Sequence, residues 1–456
     1  MVAVGEKLEL AITDLGHEGQ GVGRHEGQVV FVPGALPGDT VQVRLLAAAR
    51  RHLVGQLQRV VAPSGDRRRS PCILADNCGG CSLQPLEDAA EAAWKQRSLE
   101  QTLQRIGGLS APVRPLLAAT PTLGYRNRAL IPLERTGEGR LRAGYYRRGS
   151  HRIVNMARCP VLDPRIDCLI APLKADLEAS DWPVDRHGGA GETDQGPGLR
   201  HLGLRVGVAT GELLITLISS HDDLPGLAEL ADAWRERWPD LVGVCLNLQP
   251  LPSNRLMGEE TRLIRGREWI NETFAGLRFR IAADTFFQVN TRQAERLVAC
   301  LKEALGPGPG GGSLLDAYAG IGTYSLPLAA AGWQVHGLEL HPSAVAMARL
   351  NAAANQLEER ARFEQADVPL VLEERLQGMD ALVLDPPRKG LAPAATAAIL
   401  ANPPARIAYI SCDPASLARD LAQLCGTGAY RLNWVQPVDF FPNTSHVEAL
   451  AALQRT

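Results

Sequence analysis

Nine cysteines stand in this 456-residue chain, and two of their settings could do chemistry. Cys412 lies in Tyr409-Ile410-Ser411-Cys412-Asp413-Pro414, where an apolar run meets a turn. A thiol held at a strand end is placed for nucleophilic work, provided that nearby donors, positive charge or the substrate activate it. Cys72, Cys78 and Cys81, with Cys159 far downstream before Pro160, form a three-plus-one set. Zinc is one possible occupant, but tight zinc patterns usually pair two C-x2-C knuckles and only one is present. A three-plus-one set whose last cysteine precedes proline fits an iron–sulfur cubane better. Such a cluster would clamp the 61–81 loop to the arginine-rich hairpin within residues 121–160, a structural rather than a redox role. Cys168, Cys245, Cys300 and Cys425 have no partner pattern and are expected to be small buried hydrophobes.

The elements that must position Cys412 lie in the last third of the chain. From about residue 290 short apolar runs alternate with helical stretches, after the glycine-rich linker Gly306–Gly312. Strands are expected at Leu314–Asp316, Val335–Glu339, Ala381–Asp385 and Ile407–Ile410, with another before Ala366. That alternation predicts a mostly parallel, doubly wound sheet whose ligands sit at the carboxyl ends of its strands. Asp316-Ala317-Tyr318-Ala319-Gly320-Ile321-Gly322-Thr323 closes the first strand and opens a helix, and Glu339 ends the next. Glycines let the backbone approach a ligand, and the carboxylate can accept both ribose hydroxyl protons. A dinucleotide is the competing ligand. However, the loop lacks the third glycine of G-x-G-x-x-G, and an acidic strand end before the glycines suits the methionine part of S-adenosylmethionine better than a pyrophosphate. Asp367 could meet the adenine, Asp385 in Asp385-Pro386-Pro387-Arg388-Lys389-Gly390 faces the same crevice, and Gln288 in Phe286-Phe287-Gln288-Val289-Asn290 could close the pocket.

Cys412 ends the fifth strand, on the edge shared by Glu339 and Asp385. A thiolate adding at C6 of a pyrimidine converts the ring to an enolate whose C5 can attack a methyl sulfonium, after which a base must remove the C5 proton. Glu448, in His446-Val447-Glu448, is the carboxylate chosen for that proton. It is expected beyond the last core strand, folded back over the crevice; the competing reading makes it a solvent-facing residue of a final strand.

Upstream, residues 1–60 alternate short apolar runs with glycine turns, as in a small OB-type β-barrel. Pro85–Ile106 reads as a helix, with Ala92, Leu99, Leu103 and Ile106 on one face and Gly107-Gly108 as its stop. Residues 122–280 return to strands, and 180–200 reads as a mobile surface loop. The net charge of −2 argues against a nucleic-acid partner, yet residues 121–160 hold nine arginines against two glutamates, interleaved with tyrosines as in Tyr145-Tyr146-Arg147-Arg148. That suits phosphate contact and base stacking, or simply a solvated hairpin. No apolar run reaches membrane-spanning length and the first residues lack a secretory pattern, so a cytoplasmic protein is expected, without a membrane or an obligate protein partner.

Together these residues resemble the RNA uracil-5-methyltransferase family, in particular the bacterial 23S ribosomal RNA enzymes with an N-terminal TRAM domain and a [4Fe-4S] cluster. Gly19–Arg24 and Phe31–Gly38 look like TRAM; the cysteine spacing, Phe286–Asn290, Asp385–Gly390, Ser411-Cys412 and His446–Glu448 are each similar to family motifs. The resemblance implies a multidomain α/β chain: a TRAM barrel (1–60), a central α+β domain with the cluster and the basic RNA-binding hairpin (61–280, its helix 85–107 packed on the catalytic domain), and a Rossmann-like methyltransferase domain (281–456). It implies Cys412 as nucleophile and Glu448 as base. Gln288, Tyr318, Thr323, Glu339, Asp367 and Asp385 would contact S-adenosylmethionine, and Cys72, Cys78, Cys81 and Cys159 would hold the cluster. Asp413, Tyr318 and Thr323 depart from the family's frequent asparagine, phenylalanine and asparagine. Relatives acting on transfer RNA usually lack the barrel and cluster, so 23S ribosomal RNA is the expected substrate, and transfer RNA the alternative. A non-catalytic iron–sulfur RNA-binding factor would instead show a damaged nucleophile or cofactor loop, and both are intact.

Overall fold

In the first strand, apolar and polar residues alternate, so that Leu8, Leu10, Ile12 and Leu15 point inward and are buried. The computed structural model describes residues 5–48, 52–185, 197–251, 255–308 and 310–456. Strands β1 (Lys7–Leu15), β2 (Gly21–His25), β3 (Gln28–Val32), β4 (Thr40–Ala48) and β5 (His52–Ala62) close a barrel in the order β1-β2-β3-β5-β4. The buried Asp39 carboxylate accepts from the Leu36 and Ser64 amides and pairs with Arg67 at 2.5 Å, tying the following segment to the barrel.

Helix α1 (Asp88–Gly107) stops where Gly108 turns left-handed (φ 62°). It buries Trp94, Leu99 and Leu103, the last two against Leu417 and Leu421 of the C-terminal region. Ile106, expected on the buried face, is 52% exposed, although a Cβ on the next residue, Gly107, would stand 2.9 Å from the Ala418 carbonyl oxygen.

The central sheet is built from β6 (Arg128–Arg135), β7 (Leu141–Ala143), β8 (Leu199–Val206), β9 (Leu213–Ser219), β10 (Leu241–Leu248) and β11 (Glu260–Gly266), in the order β11-β10-β9-β8-β6-β7. Helices α2 (Pro164–Asp167), α3 (Ile170–Ala179) and α4 (Leu227–Arg237), absent from the sequence reading, accompany it. The expected 180–200 loop is narrower: Trp182 and Val184 are buried, β8 already begins at Leu199, and residues 186–196 lie outside the described residues.

A hairpin of β12 (Trp269–Phe274) and β13 (Leu277–Ala282) leads to α5 (Thr291–Leu305), whose N-cap Asn290 accepts from the Gln293 amide. There follow β14 (Ser313–Asp316), α6 (Ser325–Ala330), β15 (Gln334–Glu339), α7 (Pro342–Ala354), β16 (Ala361–Gln365), α8 (Val368–Arg375), β17 (Ala381–Leu384), α9 (Pro393–Ala401), β18 (Arg406–Ser411), α10 (Pro414–Gly426), β19 (Tyr430–Val438) and β20 (Glu448–Arg455). They form a seven-stranded sheet, β16-β15-β14-β17-β18-β20-β19, parallel through β18 and antiparallel where β20 joins β18 and β19. Strand order reverses between β14 and β17, which opens a crevice outside their carboxyl ends. Glu448 is not beyond the last core strand: it opens β20, an interior strand. The outer edge of β19 is covered by residues 113–117, where the Arg114 and Leu117 amides donate to the Val435 and Pro437 carbonyls. Among the described residues, no helix is long and apolar enough to cross a membrane.

Candidate active site

Asp316 and Glu339 reach the crevice because strands end there, and the turns that follow bring the other residues of this group. Asp316 ends β14, fully buried, and receives the Ser325 hydroxyl at 2.6 Å; burial pushes its carboxyl up to about 6. Glu339 ends β15, and its two oxygens accept from the Gly320 and His341 amides at 3.0 and 2.8 Å. The turn between β14 and α6 therefore wraps onto that carboxylate. It needs glycine twice: Gly320 and Gly322 sit at φ 55° and 86°, and a Cβ on Gly322 would stand 3.1 Å from Leu326. Tyr318 is half-buried at the rim, and burial together with the Asp367 charge pushes its hydroxyl up to about 12. Asp367 itself stands exposed at the N-cap position of α8, its side chain making no capping hydrogen bond. Thr323 is buried in the same turn and makes no polar contact with the other expected cofactor residues among the described residues.

The second group gathers around the end of β18. Antiparallel pairing sets Ser411 opposite Ala449, which brings the start of β20 to the sheet edge where Cys412 leaves β18. Cys412 is half-buried. Burial pushes its thiol up, the charges of Glu448 and Asp385 add to this, and Arg388 opposes them by charge and a hydrogen bond. Burial and the Asp385 charge push Glu448 up to about 8, again against Arg388. Asp385, following β17, is pushed up to about 7 by burial and the charge of Asp316. Gln288 donates to the Tyr324 hydroxyl at 3.0 Å, and that buried hydroxyl feels Asp385 and Glu448. Gln288, Asp385, Cys412 and Glu448 thus share one site, while Glu339, Tyr318 and Asp367 line the crevice beyond it.

Two members of that site, Arg388 and Tyr324, escaped the sequence reading. Arg388 was in view as part of Asp385–Gly390 but had no role, and it also lies 3.3 Å from His446 Nδ1. Tyr324 directly follows the glycine turn, yet nothing in its residue type announces a buried hydroxyl beside two carboxylates.

The segment leading into Glu448 is fixed from three sides. Lys95, wholly buried in α1, pairs with Glu91 and Asp439 at 2.7 Å each and donates to the Phe441 carbonyl. Burial pushes Glu91 up to about 7 against the Lys95 charge, and Glu91 also takes the Asn443 amide at 2.8 Å. Asn443 donates to the Thr122 carbonyl, and the Ser445 amide to Ser82 Oγ at 3.2 Å.

Ser82 follows the cysteine loop, where the expected cluster residues lie. Burial pushes the thiols of Cys81 and Cys159 up to about 11 and 12, and each of the two feels the other three thiols of the set or most of them, so the four are neighbours. The Leu74 and Gly80 amides point at the sulfurs of Cys72 and Cys78 at 3.4 Å. Yet no three His, Cys, Asp or Glu among the described residues converge so as to hold a metal ion. The expected clamp between this loop and the arginine-rich hairpin is made by hydrogen bonds: Gly79 N–H to the Tyr146 carbonyl at 2.8 Å, Arg148 to the Cys81 carbonyl at 2.7 Å, and a bridge between Cys78 and Arg147. Of the remaining cysteines only Cys245 is buried; Cys168, just after α2, is exposed, and Cys300 and Cys425 are half-buried against the core.

What this arrangement can do is bind a cation against desolvated carboxylates and present a thiol and a carboxylate to the same substrate atom pair. Residues 209–456 match the tRNA (uracil-5-)-methyltransferase family and residues 2–57 the TRAM domain. An uncharacterized RNA methyltransferase of Parasynechococcus marenigrum is 50% identical over 99% of this chain and 96% of its own length, and one of Synechocystis sp. is 46% identical over the same shares. The crystal structure of the Pyrococcus abyssi tRNA (uracil-54, C5)-methyltransferase in complex with S-adenosyl-L-homocysteine superposes with a TM-score of 0.77 at 27% identity, covering 98% of this chain and 99% of that one. A match of that extent includes the barrel, so the barrel does not separate ribosomal from transfer RNA substrates as expected from the sequence. The chain belongs to the tRNA (uracil-5-)-methyltransferase family and is an S-adenosylmethionine-dependent RNA methyltransferase with an N-terminal TRAM barrel.

Proposed function

We propose that this protein methylates C5 of a uridine in 23S ribosomal RNA through a covalent adduct between Cys412 and C6, giving 5-methyluridine. The observation that carries the reading is the register of β18 and β20, with Glu448 at the strand end beside Cys412. S-adenosylmethionine, when bound, supplies an electrophilic methyl sulfonium. Glu339 would hold the ribose hydroxyls, Asp367 and Tyr318 the adenine end, and Asp385, Gln288 and Thr323 the methionine end. Arg388 stabilises the Cys412 thiolate, which would form a bond to C6 and move the C5=C6 electron pair to C5; C5 would then take the methyl group, the bonding pair of the broken sulfur–methyl bond staying on sulfur as a neutral thioether. Glu448 then removes the C5 proton, C5=C6 reforms and the thiolate departs. Reaching C6 from one face requires the uridine to be turned out of its helix.

Domain limits of 1–60, 61–280 and 281–456 go with this reading, as does a cytoplasmic site of action. Cys72, Cys78, Cys81 and Cys159 are assigned to a [4Fe-4S] cluster, one thiolate to each iron. The four thiols are neighbours in the fold and would supply its thiolate ligands. Its role would be to stiffen the loop that holds Ser82 against the catalytic segment, with no part in methyl transfer. Protein prepared without oxygen should carry iron and a visible absorption band that Cys81→Ser removes; iron-free protein would overturn the assignment.

Transfer RNA is the second reading, favoured by the substrate named for the Pyrococcus abyssi neighbour. Mapping 5-methyluridine across ribosomal and transfer RNA from cells with and without the protein decides between them. Cys412→Ala should transfer no methyl group, and undiminished turnover would refute the covalent route.

A further inference from the structure

The cation of the proposed reaction stands in an exposed turn. Arg388, like its neighbours Pro387 and Lys389, faces solvent, and a guanidinium on an untethered loop spreads over many rotamers. Here it lies 3.3 Å from His446 and reaches the Cys412 thiol, so something must hold the turn that carries it. The fastening comes from α10. Among the described residues, side-chain hydrogen bonds to the backbone of residues 386–391 are made by two neighbours, Arg419 and Asp420. Arg419 donates to the Lys389 carbonyl at 2.8 Å, and the Asp420 carboxylate accepts from the Leu391 amide at 2.8 Å.

Asp420 is 1% exposed, and both of its oxygens are engaged. Arg419 Nε and Nη2 donate to Oδ1 at 2.9 and 2.7 Å. Besides the Leu391 amide, the Tyr409 hydroxyl donates to Oδ2, at 2.6 Å. Tyr409 is wholly buried in β18, the strand from which Cys412 emerges. One carboxylate therefore joins the turn behind Arg388 to the strand behind Cys412. The approach is close enough to require glycine: Gly390 sits at φ 74°, and a Cβ there would collide with Asp420 Oδ2 and stand 2.6 Å from Arg419 Nη2.

We infer that Asp420 is a positioning residue for the methyl transfer: by fastening the 389–391 turn to β18, it holds the Arg388 guanidinium against the Cys412 thiol. The groups that face this thiol are Glu448 at the start of β20 and Asp385 and Arg388 after β17, and Arg388 is the cation among them. Its attraction for the thiolate falls with distance, so a turn released from Asp420 leaves a more basic, less ionised thiol. Asp420, buried behind the turn, acts through Arg388. The inference rests on the roles proposed above for Cys412 and Arg388 and adds the group that sets their geometry.

The test is alkylation of Cys412 by iodoacetamide in the whole, ligand-free chain, followed across the neutral and alkaline range by mass spectrometry of the Cys412 peptide. The thiolate is the reacting form, so the midpoint of the profile reports the proton affinity of the thiol. Asp420→Asn keeps the shape and removes the charge. It should raise the midpoint in the same direction as Arg388→Ala, slowing labelling at neutral pH by about threefold or more, or about half a pH unit. The double variant should match Arg388→Ala alone, because the two changes remove one effect. Unfolding moves the midpoint the other way, since burial is what pushes this thiol up, so a downward shift marks a variant that does not fold. In that event Gly390→Ala serves: it forces the turn off Asp420, leaves every charge in place and should also raise the midpoint. A folded variant with the wild-type midpoint, or a double variant displaced by the sum of both shifts, overturns the positioning role and leaves the covalent reading standing. Arg388→Ala with the wild-type midpoint overturns the inference together with the role given to Arg388.

Discussion

Replacing Glu448 by glutamine should stabilise the ligand-free protein above neutral pH while abolishing turnover. Burial and the charge of Asp385 raise the Glu448 carboxyl from 4.5 to about 8. A folded-state value above the unfolded one means that the native state holds its proton more tightly. The stabilisation this confers is complete below about pH 4.5 and is lost as pH rises through about 8. At 1.36 kcal/mol for each tenfold change in proton affinity, the interval corresponds to roughly 4 to 5 kcal/mol at its alkaline end, and about 3 kcal/mol near pH 6.5. Glutamine has nearly the same shape and cannot ionise, so it escapes that loss. Urea unfolding of wild type and Glu448→Gln should give nearly equal midpoints near pH 5 and a gap in favour of the variant that widens toward pH 8. Parallel pH profiles, or a variant weaker at every pH, would refute a desolvated carboxylate at this position. Saturating S-adenosylmethionine should narrow the gap in wild type, because a bound cation beside Asp385 and Glu448 lowers the cost of their charge. In the presence of RNA the same variant should accumulate a slow-migrating protein–RNA adduct on a denaturing gel, since elimination needs the base.

Arg388→Ala removes the cation that opposes the rise of both the Cys412 thiol and the Glu448 carboxyl. The ascending limb of its pH–rate profile should move to higher pH, with about tenfold less activity at neutral pH for each pH unit of displacement; an equal loss at all pH values would show a merely structural role. Lys95→Met leaves Glu91 and Asp439 buried without their cation and should cost about 3–5 kcal/mol in urea unfolding. Glu339→Ala takes the charged acceptor from Gly320 and from the ribose hydroxyls assigned to it, which should weaken S-adenosylmethionine binding by about tenfold or more in calorimetric titration. Unchanged affinity would displace the ribose from that strand end.

Strand ends in the catalytic domain were legible because parallel β-strands announce themselves as short apolar runs and their ligand-facing residues come next in sequence. Asp316, Glu339, Asp385 and Cys412 were all located that way, each from its own flanks. Glu448 was picked out as a carboxylate near the chain end but misplaced, because an antiparallel insertion between β18 and β19 is a tertiary event. Nothing along Tyr430–Val438 or Glu448–Arg455 says which of the two strands lies inside. Arg388 and Tyr324 were illegible for a related reason: their importance lies in the charges they face, and those charges come from other strands. The Lys95 pair with Asp439 spans 344 residues and joins a helix of the second region to the segment before Glu448. Periodicity places Lys95 with Glu91 on one helix face, where an i,i+4 ion pair is ordinarily a solvated ornament worth a few tenths of a kcal/mol. Only the docking of α1 on the catalytic sheet makes it a buried clamp. The segment before Glu448, the proposed base, is therefore held by a residue outside the span matched to the methyltransferase family, 209–456. A catalytic domain cut at that limit would keep Cys412, Glu448 and every cofactor residue named here, yet lose the cation that fixes the path into Glu448.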